Sequence, residues 1–142
     1  MENVKPVTQE ITINASPDRV WETITNPELT TQYMYNCKVE TNWKTGNELN
    51  WRDASTGKLM VIGNIIEIEP GKKLVYTTFD PNGKLEDKPE NYSRVTYEIS
   101  GKNGNTVLTV TQENYPTGHS PEDMASGWEY ALEGLKKTAE DL

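Results

Sequence analysis

The spacing of hydrophobic and polar residues changes period twice along the chain. Residues 7–14 (Val7-Thr8-Gln9-Glu10-Ile11-Thr12-Ile13-Asn14) alternate and predict a strand. Ser16-Pro17-Asp18 then predicts a helix start, because Ser caps, Pro suits the first helical position and Asp complements the positive end of the helix dipole. Val20, Trp21 and Ile24 form a short apolar face on it. Asn26-Pro27-Glu28 restarts the chain as a second short helix, with Leu29 and Tyr33 inward. A period of two then returns and predicts strands near 36–43, 47–53, 58–69, 72–80, 91–100 and 104–114. They are separated by the turn signals Lys44-Thr45-Gly46-Asn47, Ser55-Thr56-Gly57, Pro70-Gly71 and Gly101-Lys102-Asn103-Gly104-Asn105, while Asp80–Glu90 reads as a polar loop. Such short connections imply an antiparallel meander rather than parallel crossover units.

The last segment has a helical period. Ser120-Pro121-Glu122-Asp123 marks its start, with Asp123 at the capping-box position. Met124, Trp128, Ala131, Leu132, Leu135, Ala139 and Leu142 share one arc, with Glu122, Glu129, Glu133, Lys136 and Glu140 opposite. The sheet is the surface available to that apolar arc. Gly127 and Gly134 each cost about 1 kcal/mol in a helix interior, which predicts close approach of another segment ahead of empty space.

Alternation also sorts the strand faces. The predicted inner residues are Leu49 and Trp51; Met60, Ile62, Ile66 and Ile68; Leu74, Tyr76 and Thr78, with Val75 and Phe79 of opposite parity competing for that face; Val95, Tyr97 and Ile99; and Leu108, Val110, Gln112 and Asn114, with Gly63 marking a bend. Several of these are polar, and a buried polar group without a partner costs roughly 1–3 kcal/mol. A pocket that orients a ligand uses such groups, whereas a plain core must pair them with each other or with water.

Composition narrows the chemistry. The 142 residues fit one domain, spanning 1–142, and the 22 acidic against 14 basic residues give a net charge of −8, which disfavours nucleic acid and membrane surfaces as partners. No apolar run near the N-terminus resembles a signal segment, so the expected location is cytoplasmic. Seven Tyr and four Trp against one Phe suit the walls of a partly wet cavity, as well as ordinary strands. Cys37 and His119 are the single members of their kinds, so a disulfide framework, a zinc site and a Cys-His nucleophile pair are not expected. Cys37 reads as a small buried hydrophobe, and no catalytic residue, metal or cofactor is assigned.

Local motifs occur in a shared order. Ser16-Pro17-Asp18-Arg19-Val20-Trp21 resembles a P-x-x-V-W helix start, and Asn26-Pro27-Glu28-Leu29 with Tyr33 resembles D-P-E-x-L-x-x-W. Residues 63–77 (Gly63-Asn64-Ile65-Ile66-Glu67-Ile68-Glu69-Pro70-Gly71-Lys72-Lys73-Leu74-Val75-Tyr76-Thr77) resemble G-x-V-x-E-V-x-P-P-x-x-L-V-Y-T. Ser93–Tyr97, Thr106–Val110 and Gly127-Trp128 with Leu132 and Leu135 match the following strands and helix. With the element order, this resembles the START-like (SRPBCC) superfamily, in its activator-of-heat-shock-protein-90-ATPase homologue-like branch. Tyr33 stands where Trp is common.

The resemblance implies an α+β helix-grip fold: a curved antiparallel sheet of about seven strands, two short helices after the first, and a long C-terminal helix over a cavity. The expected function is binding of a small apolar or aromatic ligand. The expected cavity set is Trp51, Met60, Ile62, Tyr76, Thr78, Tyr97, Val110, Gln112, Met124, Trp128 and Leu132, with Gln112, Tyr97 and Tyr76 orienting the ligand. Two alternatives stay open: a polyketide cyclase- or hydrolase-like enzyme, for which Asp53 is the nearest carboxylate, and a chaperone-associated stress-response protein. The chain starts directly at the first strand, so the co-chaperone's additional docking domain is expected to be absent, and a monomer or weak dimer is expected.

Overall fold

A computed structural model describes residues 6–114 and 120–142. In chain order the elements are β1 (Val7–Ile13), α1 (Pro17–Thr25), α2 (Pro27–Thr30), β2 (Cys37–Glu40), β3 (Asn50–Asp53), β4 (Leu59–Val61), β5 (Ile65–Glu69), β6 (Lys73–Thr78), β7 (Ser93–Lys102), β8 (Asn105–Glu113) and α3 (Pro121–Glu140). Five strands form an antiparallel sheet in the order β1-β8-β7-β6-β5, and β2-β3-β4 form a smaller one. This is the helix-grip arrangement expected from the motifs, with eight strands in place of about seven.

The helices begin where their capping residues dictate. Ser16 Oγ accepts from the Arg19 amide at 3.3 Å, Asn26 Oδ1 from that of Glu28 at 2.9 Å, and Ser120 Oγ from that of Asp123 at 3.0 Å. Each such cap contributes about 1 kcal/mol. The apolar arc of α3 lies over the large sheet, burying Ala131, Leu132, Leu135 and Ala139, and α1 adds Val20 and Ile24 to the same core. The expected arc runs one residue too far, since Leu142 is half exposed. A polar clasp closes the far end. The Arg19 guanidinium donates to the backbone carbonyls of Glu140, at 3.2 Å, and Leu142, satisfying acceptors that a helix C-terminus leaves open. Glu140 in turn accepts from the Asn14 amide at 2.8 Å and from Lys136 at 2.5 Å.

Both helix glycines face neighbouring segments. A Cβ on Gly134 would stand 3.1 Å from Tyr33 Cβ, and the Gly127 carbonyl accepts a hydrogen bond from the Tyr35 hydroxyl at 3.0 Å.

The continuous strand expected at 58–69 is broken. Gly63 marks the break, because a Cβ there would lie 1.7 Å from the Thr77 carbonyl oxygen, a position only hydrogen can occupy. On one side of it β4 joins the small sheet; on the other β5 joins the large one. Reciprocal backbone bonds between Ile62 and Phe79, at 2.9 and 2.7 Å, stitch the two together. A bulge between Ile65 and Glu67 also inverts the alternation. Ile65 is therefore buried and Ile66 is 41 % exposed, whereas Ile68 faces the core as expected. Asn114 likewise departs from its expected inward position. It adopts φ +56°, is exposed, and donates from Nδ2 to the carbonyls of Glu90 and Tyr92, both at 2.9 Å.

Candidate functional site

The strand register fixes one row of side chains across the large sheet. Tyr76 lies opposite Val95, and Val95 opposite Gln112. This row is the floor of a partly open cavity of about 380 Å³. The small sheet supplies one wall through Cys37, Trp51, Met60 and Val61. Trp128 of α3 and the Met34–Tyr35 turn supply the other, and Thr78 and Asp80 stand at the rim. A second row, Leu74–Tyr97–Val110, runs parallel to the first on the same face. Trp128 covers that row, its ring edge-on to Tyr97 at 88° and 5.9 Å.

The aromatic rings form a continuous series. Trp51 and Tyr76 have centroids 6.3 Å apart, and Tyr76 and Tyr97 6.1 Å apart. Tilted and edge-on contacts at these distances suit the ring quadrupoles and hold the walls in place. Trp128 is fixed further by its indole N–H, which donates to Gln112 Oε1 at 2.7 Å.

Electrostatically the interior is quiet. Burial pushes the hydroxyls of Tyr33, Tyr76 and Tyr97 well above the usual tyrosine range, so all three stay neutral. Tyr97 Oη is fully enclosed and meets no partner at full hydrogen-bond geometry among the described residues; the neighbouring Tyr76 hydroxyl stands close enough for an off-geometry polar contact only. Burial, and secondarily the negative charge of Asp53, raises the Cys37 thiol, which disfavours the thiolate needed for nucleophilic attack.

Two further compartments adjoin the cavity. One of about 400 Å³ lies under the 80–91 loop and shares Val61, Thr78, Asp80 and Gln112 with it. Another of about 210 Å³ reaches Met124 and shares Met34, Tyr35, Gln112 and Trp128. Gln112 therefore stands where all three meet. A wider depression of about 620 Å³ runs along the outside of α3 beside Tyr130, Glu133 and Lys137. It is bordered by the charged side chains of Glu133, Lys136, Lys137 and Glu140, unlike the mostly apolar central cavity.

Six of the residues expected at the site line the central cavity: Trp51, Met60, Tyr76, Thr78, Gln112 and Trp128. Met124 lines the neighbouring compartment. Tyr97, Val110 and Leu132 are core residues behind the wall, each at most 3 % exposed. Ile62 is drawn into its bridge with Phe79 and is not on the lining. Asp53 is off the lining as well, its Oδ1 accepting from the amides of Ser55 and Thr56 at 2.8 and 2.9 Å, which holds its carboxyl below the usual range. His119 lies outside the described residues.

The lining also includes residues absent from the expected set, notably Met34, Tyr35, Cys37 and Val95. Val95 was legible as an inward strand residue. Met34 and Tyr35 sit in an aperiodic turn where Tyr35 and Asn36 both take left-handed backbone, φ +50° and +62°. No spacing rule points to such a turn.

Among the described residues there is no cluster of three or more His, Cys, Asp or Glu able to hold a metal, and no helix is long and apolar enough to cross a membrane.

A family model described as activator of Hsp90 ATPase homolog 1-like protein matches residues 14–140. No curated protein matches the chain. Among solved structures, ChR145 from Cytophaga hutchinsonii is 32 % identical over 99 % of this chain and 97 % of its own, with a TM-score of 0.82. PFC0360w of Plasmodium falciparum, described as an HSP90 activator, is 23 % identical over 92 % and 94 %, with a TM-score of 0.70. The Aha1 dimer from Colwellia psychrerythraea is 16 % identical over 96 % and 97 %, with a TM-score of 0.75. The last two likenesses concern the fold alone.

Proposed function

The chain belongs to the activator of Hsp90 ATPase homolog 1-like family, and on that premise we propose that it is a binding protein for a small apolar or aromatic molecule, held between the sheet and α3. The observation that carries this reading is the central cavity itself. Its walls are mostly apolar and aromatic, with Gln112, Tyr76 and Thr78 as sparse polar members, the usual make-up of a small-molecule site. A volume of about 380 Å³ accommodates a molecule of two or three fused or linked rings. Apart from Asp80 at the exposed rim, the lining groups are neutral, which suits retention of a ligand better than acid–base chemistry inside the cavity.

The single cysteine provides a reporter, because Cys37 lines the cavity. N-phenyl-1-naphthylamine, an uncharged apolar fluorophore, should brighten on addition of the protein. It should also slow methylthiolation of Cys37 and raise the melting temperature. At a hundredfold excess over Kd the stabilisation is about 2.7 kcal/mol. Absence of brightening, of Cys37 protection and of any thermal shift across a panel of uncharged two- and three-ring aromatics would overturn the proposal.

The likeness to an HSP90 activator supports a chaperone-linked role only by analogy of fold.

A further inference from the structure

Resting on the binding role above, we infer that the cavity selects uncharged aromatic ligands carrying a carbonyl oxygen, and that Gln112 is the residue that reads this oxygen.

The argument starts from a chemical asymmetry. An indole N–H can donate a hydrogen bond but cannot accept one. The 2.7 Å contact between Trp128 Nε1 and Gln112 therefore forces the carboxamide to turn its oxygen toward the indole, whichever way the amide would otherwise settle. Its NH2 group is left as the free end. No acceptor for that group is present among the described residues, and it is not one of the enclosed orphan atoms, so it borders open space, and the spaces Gln112 lines are the central cavity and its two adjoining compartments. Because Gln112 borders all three compartments, this donor stands at their junction, where it meets the middle of a ligand rather than its tip. A donor fixed in an apolar enclosure favours an acceptor over a hydrocarbon of the same shape, since leaving it bare on binding costs a hydrogen bond.

Charge narrows the acceptor further. Among the described residues no Lys or Arg lines the central cavity or the compartment toward α3. The ionisable acids there are Asp80 and Asp123, both exposed at the margins. Among the described residues Lys84 is the one cation bordering these spaces, and it stands in the outer compartment under the 80–91 loop. A carboxylate entering the centre would lose its hydration, find no counter-ion, and pass two like charges. A neutral ketone or amide carbonyl meets none of these penalties.

Three probes of closely similar shape test this: benzophenone, diphenylmethane, which lacks the carbonyl, and 4-benzoylbenzoate, which adds a carboxylate. Displacement of N-phenyl-1-naphthylamine measures each affinity, and irradiation of bound benzophenone followed by peptide mass mapping locates it. Benzophenone should bind about tenfold tighter than diphenylmethane, the worth of one net hydrogen bond, and tighter than 4-benzoylbenzoate, with crosslinks at Met34 or Met60. Gln112→Glu keeps an acceptor for Trp128 and removes the NH2 donor, so in this variant the benzophenone-to-diphenylmethane ratio should fall to about one. Gln112→Leu, which abandons the Trp128 bond, should give the same ratio if it folds. Equal binding of benzophenone and diphenylmethane by the unaltered protein, an unchanged ratio in Gln112→Glu, or tighter binding of 4-benzoylbenzoate would overturn the inference while leaving the binding role intact. Failure of all three probes and of the fluorophore would overturn both.

Discussion

Replacing Tyr97 by Phe should stabilise the ligand-free protein, the reverse of the usual result for a buried tyrosine. The side chain is 1 % exposed, and its hydroxyl makes no hydrogen bond among the described residues. That hydroxyl surrendered its water bonds on folding and gained only an off-geometry contact with Tyr76 in return, a deficit of roughly 1–3 kcal/mol. Phenylalanine keeps the edge-on contact with Trp128 and the tilted contact with Tyr76, and removes only the orphaned group. Discounting for the small void left by the missing oxygen, the expected gain is about 1 kcal/mol, or about 3 °C in Tm for a chain of this size. Tyr33→Phe is the matched control. Tyr33 is equally buried, but its hydroxyl donates to the Ile24 carbonyl at 3.4 Å. Its loss should destabilise by about 1 kcal/mol, leaving a buried carbonyl short of a donor. Urea unfolding of the two variants beside the parent measures both signs in one experiment. A destabilisation of 1 kcal/mol or more in Tyr97→Phe would refute the reasoning, showing that Tyr76 or a trapped water satisfies the hydroxyl.

Two other perturbations probe the frame around the cavity. Gly63→Ala should cost about 3 kcal/mol in urea unfolding, because moving the backbone off the Thr77 carbonyl breaks the Ile62–Phe79 bridge and the Leu49–Gly63 bond; a loss under 0.5 kcal/mol would mean the two sheets flex independently at this point. Alkali should unfold the protein early. Tyr33, Tyr76 and Tyr97 have folded pKa values above the ordinary value of about 10, so their stabilisation is complete below that pH and is lost as pH rises above it. With all three protonated in the folded state and ionised in the unfolded one, stability should fall by about 4 kcal/mol per pH unit, visible as tyrosinate absorbance appearing together with loss of structure; three tyrosines ionising while the fold persists would contradict their burial.

Local signals were enough for the order of elements. Caps at Ser16, Asn26 and Ser120 place three helix starts, and alternation places the inward faces of β6, β7 and β8, because both are set within a few residues by backbone sterics and hydrogen-bond geometry. Alternation was blind to Ile65, whose inward turn depends on a bulge defined by the partner strand rather than by its own neighbours. The candidate site shows the same division. Parity puts Tyr76, Tyr97, Val110 and Gln112 on one face, but it carries no coordinate for depth. All four are buried, but Tyr76 and Gln112 border the cavity while Tyr97 and Val110 lie behind its wall, where Trp128 crosses the sheet, and that crossing is set by the packing of α3 as a whole. The Met34–Tyr35 turn was likewise decided in three dimensions, and at Gly63, where the glycine itself signals a bend, only the tertiary structure turned that bend into a break between two sheets. Each lies against a distant segment, the turn against α3 through the Tyr35–Gly127 bond and Gly63 against the Thr77 carbonyl. Sequence fixes what depends on neighbours along the chain; the cavity depends on neighbours across it.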